Sequence, residues 1–202
     1  MLYNDFRYYL FRNLDLVSQM SYAKKIYSFL FTLNFEYPDF KKWYISLYNN
    51  NNTLKDNRDI ILCTINESIA GVAILKRDTY EKKICTLRVA PMYQHHGIGS
   101  YLLEKSLELF NYEKPLITIH ISKYRDFQKL FERYGFKLEQ QLQGYYGLLR
   151  SELAYNGILS NQFIERNSII EHLAFNVEKN IYNYPFSNKK IFIANTFTPI
   201  IE

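Results

Sequence analysis

Cysteine is scarce in this 202-residue sequence. There are two, Cys63 and Cys85, each inside an apolar β-branched run. Free cysteine behaves as a small hydrophobe, so both read as buried structural thiols. No cluster of His, Cys or acidic residues has the spacing of a zinc site, and no metal is expected. Long apolar runs are also missing. No uncharged stretch reaches the length of a membrane span. The first 13 residues carry Asp5, Arg7 and Arg12 within their apolar stretch, unlike the basic start and clean apolar core of a signal peptide. A cytoplasmic protein without a membrane partner is expected. There is no long basic run either. The net charge of +5 is spread among acidic residues, which reads as a mixed solvated surface rather than a nucleic-acid face. A polyanionic cofactor would suit the excess. No segment repeats at a fixed period, which argues against a solenoid.

What is present is ordinary for a globular chain: 48% hydrophobic and 22% charged residues. The length favours one domain with an appendage. Aromatics reach 17%, with 19 Tyr and 15 Phe, much of it compositional bias. Residues 5–11 alternate as a strand. Residues 16–34 have helical periodicity through Leu16, Met20, Ala23, Ile26, Tyr27 and Leu30. Tyr37-Pro38-Asp39 breaks that helix, and a second one spans 39–48 around Trp43. The run Asn49 to Asn52 is a loop. Residues 59–65 and 69–76 form a hairpin about Asn66-Glu67-Ser68, and 83–89 adds a strand. A helix spans 97–110, a buried strand 116–121, and a helix 126–134 stopped by Gly135. Residues 136–138 and 145–149 read as the last two strands, 166–180 as an amphipathic helix, and 191–194 as one more strand. This order predicts an α+β, three-layer domain over 1–156, with helices on both faces of a mixed, mostly antiparallel sheet. Residues 157–202 are then an extension, packed on the domain or at an oligomer interface.

The informative stretch runs from Leu87, Arg88 and Val89 through Ala90-Pro91 to Gln94-His95-His96-Gly97-Ile98-Gly99-Ser100. A strand ends at a proline, a polar loop follows, and two glycines open a helix. Unpaired N–H groups and the helix dipole make such a start an anion site. Glycine lets a diphosphate approach the backbone closely. Gln94, His95, His96 and Ser100 add side-chain donors. The P-loop pattern is absent, and Leu102 stands where the dinucleotide fingerprint needs its third glycine.

Gln94-His95-His96-Gly97-Ile98-Gly99 resembles the cofactor signature of the GNAT superfamily of N-acetyltransferases. Leu87-Arg88-Val89-Ala90-Pro91 looks like the family's fourth strand and its exit, and Leu130 to Phe136 like the L-Y-E-K-x-G-F ending of its helix after strand five. The resemblance covers about residues 5 to 150. It implies a sheet splayed between strands four and five, with acetyl-CoA as co-substrate in the gap. The backbones of Leu87 and Val89 would pair with the pantetheine amides, and the amides of 94–99 would hold the pyrophosphate. An amine would attack the thioester directly, giving an amide and free coenzyme A.

The sequence departs from the family at the thiolate's acid. Phe131 stands where many relatives have Tyr, and Tyr124 stands where they have an Asn touching the cofactor. Tyr124 is either the replacement acid or a residue that stacks on the cofactor. Tyr134 reads as packing. For the base, Glu36 lies in the loop that lines the acceptor pocket in relatives, and Glu81 precedes the fourth strand. Surface carboxylate is the simpler reading of both. His120 in an apolar strand reads first as a packed residue, and a water-relayed base would also serve. Tyr145 and Tyr146 read as packing first and acceptor contact second. The expected partner is a small-molecule or protein amine, with a homodimer possible. Rival readings are a toxin-like enzyme acting on charged tRNA and a non-catalytic acyl-coenzyme A-binding module.

Overall fold

A computed structural model describes residues 6–37, 39–145 and 150–159. The extension beyond 159, with the expected helix at 166–180 and strand at 191–194, lies outside the described residues, as do Pro38 and Tyr146. Seven strands form one sheet: β1 (Arg7–Leu10), β2 (Arg58–Ile65), β3 (Ser68–Arg77), β4 (Lys82–Val89), β5 (Leu116–His120), β6 (Leu138–Gln143) and β7 (Ser151–Tyr155). Their spatial order is β1-β2-β3-β4-β5-β7-β6. Every pairing is antiparallel except β4 with β5.

The helices are α1 (Leu16–Leu30), α2 (Leu33–Glu36), α3 (Phe40–Ser46), α4 (Ile98–Leu109) and α5 (Tyr124–Arg133). Alternation along the strands splits the core into two layers. Ile60, Leu62, Val72 and Ile74 pack with Ile26, Leu30, Phe40 and Trp43 of α1 and α3. Ile61, Cys63, Ala73 and Leu75 pack with Leu102, Leu103 and Phe131 of α4 and α5. Strands buried on both faces read as continuous apolar runs, which is why β2 and β3 were legible.

Three expectations are corrected. The helix expected over 16–34 ends at Leu30, and a turn separates it from the short α2. Leu16 and Met20 remain 54% and 47% exposed, so only the C-terminal half of α1 meets the sheet. The last two strands lie at 138–143 and 151–155, not at 136–138 and 145–149. Phe136 instead closes α5, its N–H donating to the Phe131 carbonyl at 2.9 Å while Gly135 takes φ +64°. The edge strand β6 is mostly Glu and Gln, so its alternation carries little hydrophobic signal.

α4 crosses β3 closely at Gly71. A Cβ there would lie 2.9 Å from Ile98 Cγ2, 3.0 Å from Leu102 Cδ1 and 3.2 Å from the Arg88 carbonyl. Gly71→Ala should therefore lower unfolding free energy by about 1–3 kcal/mol, as overpacked cores do. Denaturant unfolding checks this, and an unchanged midpoint would contradict the close fit.

Candidate active site

β4 and β5 pair at only two positions, Lys83↔Leu116 and Ile84↔Ile117. Beyond them the strands diverge. Residues 86–89 stay paired to β3 but have no strand on their other side. The β3–β4 register slips between Ile74 and Leu75, leaving Cys85 as an extra residue where the gap begins. A cleft of about 730 Å³ fills the wedge, floored by residues 83–89 and 117–120.

One wall is the start of α4. Gly97 is the N-cap residue, in a left-handed conformation (φ +81°), and no side chain caps the helix. A Cβ on Gly97 would meet nothing within 4 Å, so the backbone angle, not crowding, selects glycine there. His95 is also left-handed, at φ +64°. The carbonyl of Gln94 accepts a hydrogen bond from His96 Nδ1 at 2.7 Å, which fixes the proton on that nitrogen. Gln94, His95, Gly97, Gly99 and Ser100 line the cleft with Leu87, Arg88 and Val89. The side chains of His96 and Ile98 do not. His96 is turned to the Gln94 carbonyl, and Ile98 is buried under α4 at 1% exposure.

α5 forms the opposite wall with Lys123, Asp126, Phe127, Leu130 and Arg133, spaced as one helical face. Arg125 and Lys129 line the cleft too. This group of four cations against one carboxylate was not singled out from the sequence, because its charges are spaced over ten residues rather than run together. Tyr124 and Phe131 are seven apart on a different face of the same helix. Phe131 is buried against Phe127, Phe136 and Tyr155, with ring centroids 4.6–5.1 Å apart. Tyr124 is 38% exposed. Neither residue is among those that line the cleft. Tyr134 packs as expected, its hydroxyl donating to the Ser100 carbonyl at 3.3 Å.

Among the expected carboxylates, Glu36 lines the cleft and Glu81 does not. Glu81 belongs to the β3–β4 turn. Its N–H donates to Asp78 Oδ1 at 2.7 Å and its carboxylate accepts from Lys76 Nζ at 2.8 Å. Cys63 is core, as expected. Cys85 instead lines the cleft at the bulge, 3.6 Å from Arg58 Nη1. Burial pushes its thiol up.

The acetyltransferase (GNAT) domain family matches residues 35–149, more than half of the chain. The chain belongs to the GNAT acetyltransferase family. A solved structure agrees on the fold. A GNAT-family protein from Desulfovibrio desulfuricans superposes with a TM-score of 0.57 at 19% identity, over 74% of this chain and 96% of that one. The ribosomal-protein-S18-alanine N-acetyltransferase from Escherichia coli gives 0.47 at 19% identity, over 60% and 79%. A GNAT acetyltransferase from Elizabethkingia anophelis, solved with acetyl-CoA bound, gives 0.42 at 20% identity, over 49% and 74%. No curated protein sequence matches.

This GNAT domain holds one residue that the sequence reading missed. Glu152 on β7 is fully buried, and neither carboxylate oxygen has a hydrogen-bond partner. Burial is the main cause that raises its carboxyl from 4.5 to about 7. The charge of Glu36 adds to this, and Arg150 opposes it. A raised acid destabilises the fold as pH climbs from the unfolded value through the folded one. Glu152→Gln should therefore leave stability unchanged at pH 4 and raise it by at most about 3 kcal/mol above pH 7. Thermal melts across that range check the sign, and a variant less stable at alkaline pH would contradict it. No metal-ligand cluster is found among the described residues, and no helix among them is long and apolar enough to cross a membrane.

Proposed function

We propose that this protein transfers the acetyl group of acetyl-CoA to a primary amine by direct attack. The observation that carries this reading is a single cleft that joins the open backbone edge of β4 to the uncapped start of α4. An extended chain with two amides, such as pantetheine, suits the edge of Leu87 and Val89, and a diphosphate suits the amides from Gly97 to Ser100. Lys123, Arg125, Lys129, Arg133 and Arg88 surround the same space with positive charge.

Direct attack is favoured over an acyl-enzyme. The one thiol lining the cleft among the described residues, Cys85, has its ionisation suppressed by burial, and an un-ionised thiol is a poor nucleophile. The amine acceptor, a small molecule or a protein amine, then meets the thioester from the α2 side of the sheet, where Glu36, Tyr37, Phe40 and Trp43 line the cleft. The absence of Phe131 and Tyr124 from the cleft lining favours a second reading, acyl-coenzyme A binding without turnover. Thiol release over an amine, peptide and aminoacyl-tRNA panel separates the two.

Gly97→Glu places a negative charge where the diphosphate is expected. Acetyl-CoA affinity should fall on the order of 100-fold, about 3 kcal/mol. Gly97→Ala carries the same backbone strain without the charge and should bind far better than Gly97→Glu. Calorimetric titration of both variants checks this. Parental affinity in Gly97→Glu would move the diphosphate elsewhere.

A further inference from the structure

Glu152 sits directly opposite His120 in the β5–β7 register. Directly opposed residues of an antiparallel pair point to the same face. His120 lines the cleft, so the buried carboxylate lies beneath the cleft floor on the acceptor side. β7 is an interior strand, held between β5 and β6, and Leu142 is the Glu152 partner on β6. The ionisable groups around Glu152 are His120 on β5, Glu36 at the end of α2 and Arg150 just before β7. Arg150 also stacks over the Tyr37 ring, 5.8 Å from its centroid.

A buried carboxylate without a partner is costly unless something supplies the missing charge or proton. Among the described residues no group hydrogen-bonds to Glu152, and only the more distant charge of Arg150 opposes its burial. His120 turns its Nδ1 to Ser122. The Ser122 N–H donates to its Nδ1 at 3.3 Å, and the Ser122 hydroxyl lies 2.8 Å from the same nitrogen. An N–H cannot accept, so Nδ1 is the unprotonated nitrogen and Nε2 carries the hydrogen of the neutral ring. Both Glu152 oxygens, beneath this part of the floor, keep their lone pairs uncommitted.

We propose that Glu152 is the proton acceptor of the reaction, and that the acceptor arrives as an ammonium drawn to the Glu36–Glu152 pair. This rests on the acetyl-transfer reading above. The ammonium gives one proton to the Glu152 carboxylate, which the cleft floor must expose for the transfer. The neutral amine then attacks the thioester carbon. A C–N bond forms and the C–S bond breaks. The second proton of the nitrogen neutralises the departing thiolate, and Glu152 returns its proton to solvent. The raised carboxyl, near 7, suits a group that must take and release a proton at neutral pH.

The test uses the full chain and Glu152→Gln with two probes. One is 2-phenylethylamine, an ammonium at neutral pH with a body suited to the aromatic lining. The other is hydroxylamine, largely unprotonated there. Glu152→Gln should keep parental acetyl-CoA affinity and lose on the order of 100-fold or more in kcat with 2-phenylethylamine. It should lose the acidic limb of the pH–rate profile and lose much less with hydroxylamine. Equal losses with both amines, or an unmoved profile, overturn the proposal. Parent-minus-variant infrared spectra follow the Glu152 carboxyl without turnover, and 2-phenylethylamine should shift its titration to lower pH. If the parent acetylates neither amine, the acetyl-transfer reading falls. The infrared titration then judges Glu152 alone, and a titration indifferent to the amine overturns its assignment.

Discussion

The structure depends on a parallel strand pair that stops after two residues. Backbone N–H and C=O groups are strong hydrogen-bonding groups that seldom stay unpaired when shielded from water. Within one sheet, β4 and β5 join at Lys83–Ile84 and Leu116–Ile117 and then separate. The open edge of 85–89 lies inside the molecule rather than at its rim, which makes it a place for a ligand's own amides. Other features follow from that divergence. The bulge at Cys85 marks where it begins. Gly71 lets α4 descend onto β3, so that its N-terminus ends beside the opening.

The cleft has charge of opposite sign on its two sides. The α4 start and the α5 cations present unpaired amides and positive charge. The α2 and β7 side presents Glu36 and, beneath the floor, Glu152. A polyanionic donor and a cationic acceptor would therefore be drawn to different sides of one thioester. Opposed fields of this kind favour productive orientation before any contact is made.

Much of this was legible from residue order. The strand, proline and two-glycine pattern located one wall of the cleft, because a helix start without a cap has a local signature. The hairpin at 66–68 and the buried runs of β2, β3 and β5 were legible for the same reason: local periodicity and turn chemistry decide them. The remainder depends on what covers each residue. Phe131 and Tyr124 were placed by matching the motif, but Phe131 packs on Tyr155 while Phe127, Leu130 and Arg133 line the cleft. Glu152 gave no local signal. A carboxylate between Ser151 and Leu153 reads as the wet side of a strand. Only the strand order, with β7 enclosed by β5 and β6, turns that position inward.

Phe131 and Glu152 are linked by proton accounting. An enzyme that relies on a side-chain acid for the thiolate needs a hydroxyl near the sulfur, and Phe131 has none. If a buried carboxylate takes the first proton, the amine nitrogen still holds the second when the C–S bond breaks, and the thiolate can receive it. A separate acid is then unnecessary, and its helix position is free to pack. The same carboxylate weakens the fold as it ionises with rising pH, because burial disfavours its charged form. Retaining an unpaired buried charge is hard to explain by packing alone. It follows if the missing partner is the acceptor itself.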